Sequence, residues 1–201
     1  MTRIKICGLS RPQDVEYVNQ SRPDWCGFVI NFPQSRRNVT AEQARSLRAG
    51  LAPEIIPVGV LVDRPVEEAA DLLNCGVVAA VQLHGREDGD YVAALRAKAP
   101  GKEIWQAFQV RGPADLERAL GSGADRILLD GGQGNGRAFD WSLLRSFPRP
   151  YILAGGLTPE NLPEAIRTLH PFGVDLSTGV ERDGCKDFVK IQAAVAAARE
   201  E

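Results

Sequence analysis

Cys7 closes a short apolar run and is followed at once by Gly8. Asp130 closes another, Ile127-Leu128-Leu129, ahead of a glycine-rich loop. A thiol and a carboxyl at the ends of two buried strands are a base and an acid that could work across one shared mouth. Each also has a plainer reading. Cys is often a small core residue, and an Asp after an apolar run can cap a turn. His84, in Gln82-Leu83-His84-Gly85, fits a structural imidazole as well as a catalyst. Arg36 and Arg37 fit a solvated loop or a clamp on a carboxylate. Cys26, Cys75 and Cys185 read as structural.

Three glycine-bearing loops point to an anion. Gly131-Gly132-Gln133-Gly134-Asn135-Gly136-Arg137 follows Asp130, Gly155-Gly156 follows Leu153-Ala154, and Ser177-Thr178-Gly179 follows Asp175-Leu176. The first is neither a P-loop nor a G-x-G-x-x-G dinucleotide fingerprint. Glycine lets backbone N–H groups approach an anion, and a following helix adds favourable potential. One such loop reads as a tight turn. Three after neighbouring strands favour a phosphate, and the acid and base then suit proton transfer on a sugar phosphate.

These loops need a scaffold, and the rest of the chain provides one. Apolar runs at Arg3–Cys7, Trp25–Asn31, Ile55–Val62, Val77–Leu83, Glu103–Gln109, Arg126–Asp130, Pro150–Ala154 and Gly173–Ser177 alternate with amphipathic stretches. The runs are apolar nearly throughout, as strands buried on both faces are. Helices are expected after Pro12 with Ser10 as cap, from Thr40 as cap, and over Pro65–Asn74, Asp88–Lys98 and Pro113–Leu120. Further helices are expected over Trp141–Ser146, from Pro159, and over Lys186–Arg199. Strict alternation implies parallel strands, and eight units allow closure as a single (β/α)₈ barrel domain over residues 1–201. An open doubly wound sheet is the other possibility.

Composition narrows the class. The 201 residues carry 24 Lys plus Arg against 26 Asp plus Glu, a net charge of −2, which disfavours nucleic acid as partner. With 44% hydrophobic content the chain can bury a core. No apolar run approaches the ~18–20 residues of a membrane span, and the first residues lack a signal-peptide core. The four cysteines show no C-x-x-C pairing, so no zinc site is expected. Free thiols fit a reducing, cytoplasmic setting.

Five ordered motifs resemble the phosphoribosylanthranilate isomerase family. They are Lys5-Ile6-Cys7-Gly8-Leu9 with Arg11-Pro12 and Asp14; Gln82-Leu83-His84-Gly85; and Gly134-Asn135-Gly136-Arg137-Ala138-Phe139-Asp140-Trp141. The others are Leu153-Ala154-Gly155-Gly156-Leu157 with Asn161, and Val174-Asp175-Leu176-Ser177-Thr178-Gly179-Val180-Glu181 with Lys186-Asp187. The resemblance implies a (β/α)₈ barrel of tryptophan biosynthesis. It implies an Amadori rearrangement of N-(5′-phosphoribosyl)anthranilate, with no metal or organic cofactor. By motif, Cys7 is the general base and Asp130 the general acid. Arg37, with Arg36 beside it, faces the anthranilate carboxylate. Gly134, Gly136, Gly155, Gly156, Ser177, Thr178 and Gly179 hold the phosphate, and His84 and Asp175 join the substrate-facing set. Asp130 should then be raised in pKa, and Cys7 drawn toward thiolate by a local positive field. The chain is expected to be a monomer or a homodimer. The related Amadori step of histidine biosynthesis is disfavoured by Cys7, where that group has Asp. A silent metabolite-binding barrel is disfavoured by the presence of both catalytic groups.

Overall fold

Parallel strands cannot be joined by tight hairpins, so every apolar run needs a crossover before its neighbour. The computed structural model describes residues 1–132 and 141–200, and it follows this rule around a full circle. In chain order the elements are β1 (Arg3–Cys7), α1 (Pro12–Ser21), β2 (Trp25–Ile30), β3 (Asn38–Val39), α2 (Ala41–Ala49), β4 (Ile56–Leu61), α3 (Val66–Asn74), β5 (Ala80–Leu83) and α4 (Gly89–Lys98). Then come β6 (Glu103–Gln109), α5 (Pro113–Leu120), β7 (Arg126–Asp130), β8 (Tyr151–Ala154), α6 (Leu162–Leu169), β9 (Gly173–Leu176), β10 (Glu181–Arg182), β11 (Cys185–Lys186) and α7 (Phe188–Glu200). The spatial order β1-β9-β8-β7-β6-β5-β4-β2 closes through a β1–β2 pairing. All eight pairings are parallel, so the sheet is a closed barrel rather than an open doubly wound sheet.

The strands are apolar on both faces because the barrel has two cores. Outward residues such as Ile4, Ile6, Phe28, Val81 and Leu129 pack against the helices. Inward residues Trp25, Val58, Ala80, Trp105, Leu128 and Ile152 form a separate cluster inside the barrel. Trp25 and Trp105 meet edge to face with ring centroids 5.2 Å apart. The Arg126 guanidinium lies 4.7 Å from the Phe172 ring centroid, and Arg126 pairs with Glu103. This aromatic and cationic layer fills the N-terminal end, leaving the C-terminal end for the site.

Several boundaries differ from the sequence pattern for local reasons. Thr40 caps α2 as expected: its Oγ1 accepts from the Gln43 N–H at 3.1 Å, while Gln43 Oε1 accepts from the Thr40 N–H at 2.8 Å. Ser10 is not the cap of α1; the Asp14 carboxylate instead accepts from the N–H groups of Ser10 and Arg11. The strand expected from Val77 begins at Ala80, because Val77 and Val78 donate back to the Leu72 carbonyl and are buried in a turn. The helix expected from Pro159 begins at Leu162, since Thr158 and Asn161 first bond to each other in a turn. The helix expected over Trp141–Ser146 is a 3₁₀ turn at Trp141–Leu144. The closing helix starts at Phe188, because Lys186 belongs to the β10–β11 hairpin.

The aromatic layer yields a test. Trp105→Ala should lower stability by about 3–5 kcal/mol through the cavity it leaves. The urea unfolding midpoint should fall accordingly.

Candidate active site

Strands alternate their side chains, so Lys5 and Cys7 on β1 both point inward, as do Gln82 on β5, Asp130 on β7 and Asp175 on β9. These strands end around one cavity of about 580 Å³, within the range of small-molecule sites. Cys7, Arg37, Gln82, His84, Asp130, Gly155, Gly156, Asp175, Ser177, Thr178 and Gly179 line it. Eleven of the sequence-expected site residues can be placed: ten line this cavity and Arg36 does not. Gly134 and Gly136 lie outside the described residues.

Asp130 is fixed by its neighbours. Its Oδ1 accepts from the Gly132 N–H at 2.8 Å, which leaves Oδ2 outside that bond. Gly155, the residue after Ala154, which pairs with Asp130 in the β7–β8 register, has φ +92°, and a Cβ there would lie 2.5 Å from Asp130 Oδ1. Only glycine lets the loop after β8 pass so close to this carboxyl.

Lys5 was not singled out by the sequence pattern, yet it organises the mouth. It is fully buried. Its Nζ donates to Asp175 Oδ2 and to Gln82 Oε1, each at 2.9 Å. Lys5 stands opposite Asp175 in the β1–β9 register, so the ion pair follows from strand alignment. Burial alone would lower the Lys5 pKa, but the carboxylate of Asp175, with a further contribution from Cys7, outweighs it and holds the pKa above the ordinary value. Asp175 Oδ1 is buried with no hydrogen-bond partner among the described residues, and it belongs to a cavity-lining side chain.

Because an ammonium only donates, Gln82 Oε1 must be its acceptor and Gln82 Nε2 is then free to donate. Nε2 lies 3.1 Å from His84 Nδ1. The network therefore assigns His84 the neutral Nε2–H tautomer. That Nε2 is 4.0 Å from Asp130 Oδ2. A polar chain thus runs from Asp175 through Lys5, Gln82 and His84 to the edge of Asp130.

Burial raises the Cys7 pKa, opposed chiefly by the Lys5 ammonium and more weakly by Lys186, while Asp175 adds to the rise. This corrects the expected shift toward thiolate. The positive field is present, but desolvation of the sulfur is the larger effect.

The arginine loop is anchored by a residue the sequence pattern also missed. Glu181, buried in the short β10 strand, accepts from Arg37 Nε at 2.6 Å, Arg37 Nη2 at 2.8 Å and Lys186 Nζ at 2.8 Å. Arg36 pairs with the same carboxylate, and its side chain is 55% exposed. Arg37 Nη2 also reaches Thr178 Oγ1 at 3.1 Å. So Arg37 stands at the cavity wall and Arg36 braces it from outside. Burial would raise the Glu181 pKa, but hydrogen bonds from Arg37 and Lys186 bring it down to about 2. Among the described residues, no group of three or more His, Cys, Asp or Glu side chains is arranged to hold a metal, and no helix is long and apolar enough to cross a membrane.

This layout matches known proteins over the whole chain. The family model for N-(5′-phosphoribosyl)anthranilate (PRA) isomerase matches residues 4–197. This chain belongs to that family. The N-(5′-phosphoribosyl)anthranilate isomerase of Acetivibrio thermocellus is 41% identical over 213 residues, covering 100% of this chain and 97% of the relative. The crystal structure of phosphoribosyl anthranilate isomerase from Thermotoga maritima superposes with a TM-score of 0.87 at 36% identity, covering 100% of both chains. A phosphoribosyl anthranilate isomerase crystallised with reduced 1-(o-carboxyphenylamino)-1-deoxyribulose 5-phosphate also gives 0.87, at 35% identity and 100% of both chains. The fold and the membership among isomerases of tryptophan biosynthesis therefore stand as the sequence reading had them.

Glu181 supplies a pH test. Its folded-state pKa of about 2 lies below the ordinary 4.5. Its contribution to stability is therefore full above pH 4.5 and is lost as pH falls toward 2. In acid titrations of unfolding free energy, Glu181→Gln should be less stable at neutral pH and should lack that part of the acid slope.

Proposed function

We propose that the cavity carries out the conversion of N-(5′-phosphoribosyl)anthranilate to 1-(2-carboxyphenylamino)-1-deoxyribulose 5-phosphate, with Asp130 as general acid and Cys7 as general base. The observation that carries this reading is the convergence of Cys7, Asp130 and Arg37 on one cavity whose wall ends in Gly155-Gly156 and Ser177-Thr178-Gly179. Protonated Asp130 gives its proton to the furanose ring oxygen. The C1′–O bond breaks, and the anthranilate nitrogen forms an iminium with C1′. Cys7 then takes the proton from C2′, and the electron pair moves to form the enolamine. Tautomerisation moves a proton to C1′ and leaves a ketone at C2′. The iminium charge next to C2′ makes that proton acidic and favours a thiolate at Cys7, which offsets the burial that raises its pKa.

Arg37 presents its guanidinium to the anthranilate carboxylate, and Glu181 keeps it oriented. The unpartnered Oδ1 of Asp175 accepts from a ribosyl hydroxyl. The glycine loops and the Ser177–Gly179 turn hold the phosphate through backbone N–H groups.

The reading is tested by following the loss of anthranilate-type fluorescence from freshly prepared substrate. Cys7→Ser and Asp130→Asn should each lower kcat by about 10²-fold or more with substrate binding retained. A Cys7→Ser enzyme with wild-type turnover removes the thiol from the mechanism. Arg37→Ala should weaken binding of a reduced product analogue more than Arg36→Ala, and the opposite order would reassign the carboxylate contact.

A further inference from the structure

The base proposed above sits in a place that should make it a poor one. Cys7 is 8% exposed, and desolvation disfavours its thiolate. Something nearby must counter that burial if the sulfur is to accept a proton, and the groups around it are few. From its own strand it meets Lys5, from β2 Cys26, from β9 Asp175, from β11 Lys186, and from the loop after β2 Arg37. Arg37 and Lys186 are both bonded to Glu181, which offsets part of their field. Asp175 opposes a thiolate.

Lys5 is differently placed. It lies two residues before Cys7 on the same inward face. Gly27, opposite Cys7 in the β1–β2 register, brings the two together. A Cβ built on Gly27 would lie 2.7 Å from Cys7 Sγ and 3.1 Å from Lys5 Nζ. Sulfur and ammonium thus share the space that any other residue at position 27 would fill. The ammonium has three hydrogens. Gln82 Oε1 and Asp175 Oδ2 take one each, at 2.9 Å. These two tethers use two of the three hydrogens and leave one uncommitted beside the sulfur.

The geometry points to Lys5 as a positioning residue for the reaction: a buried ammonium, tethered by Gln82 and Asp175 above Gly27, that stabilises the Cys7 thiolate and makes the sulfur an effective base. This rests on the reading of Cys7 as the base, and it assigns the basicity to one neighbour. No new bond is formed. The C2′ proton passes to sulfur, and the Lys5 ammonium keeps all its protons throughout. The tethers matter as much as the charge, because a free lysine would turn toward Asp175 alone.

The test compares Lys5→Met with wild type by kcat across pH and by direct titration of the Cys7 thiolate. The titration reads ultraviolet absorbance against the matching Cys7→Ser protein. The thiolate midpoint should move up by about one unit or more. The ratio of variant to wild-type kcat should be about tenfold down at neutral pH and climb toward one as pH rises. Taking the ratio at each pH cancels the pH dependence that the two proteins share. A lysine that only filled space would give a loss independent of pH and an unmoved thiolate midpoint, and either result overturns the assignment. Lys5→Met strands the Asp175 charge and can fail to fold. Gln82→Met then decides: it keeps the Lys5–Asp175 pair and drops one tether, so the midpoint should rise by a smaller amount. An unchanged midpoint in that variant overturns the assignment. If Cys7→Ser proves fully active while the midpoint still moves in the Lys5 or Gln82 variant, the reading of Cys7 as base fails and the Lys5–Cys7 coupling stands.

Discussion

A charge cannot be left alone inside a parallel barrel, and in this protein the charge is the Lys5 ammonium. It is fully buried, and its two tethers come from β5 and β9. Removing water from an ammonium costs several kcal/mol unless partners replace it. Asp175 supplies the countercharge and Gln82 a neutral acceptor. Each is then fixed in its own orientation, Gln82 so firmly that the tautomer of His84 follows. The side chains at the mouth are therefore not independently placed. They are consequences of satisfying one buried cation.

A second ionic hub governs the other wall. Glu181 gathers Arg36, Arg37 and Lys186 onto one buried carboxylate. One negative charge among three positive ones leaves that wall net positive, which suits a carboxylate ligand. The two hubs divide the labour: Lys5 with Asp175 faces the sulfur, and Glu181 with Arg37 faces the loop after β2. At the opposite end the Trp25–Trp105 layer is dominated by packing and cation–π contacts. Chemistry and stability are thereby carried by opposite ends of the same strands.

The barrel itself was legible because each strand is short, apolar and followed by a crossover. Glu103–Gln109, Pro113–Leu120 and Arg126–Asp130 have the boundaries expected from pattern alone. Cys7 and Asp130 stood out because they break apolar runs where a strand meets its loop. Lys5 did not, because it lies inside a run buried on both faces, where period-two alternation gives no contrast. Its signal was present in a subtler form, as a cation two residues before Cys7 on the same strand face. Gln82, two before His84, carries the same signal. Glu181 sits in a two-residue strand, too short for any periodicity to register. The choice between Arg36 and Arg37 depends on which guanidinium reaches the cavity wall, and that is a matter of three-dimensional bracing.

The Lys5–Asp175 pair joins positions 170 residues apart, across the seam where the first and last barrel strands meet. Contacts of such sequence separation form late, because loop closure must precede them. A nascent chain that has folded its first strands but not its last carries an ammonium with no countercharge. The ion pair that orders the mouth is therefore complete only once the first and last strands have met.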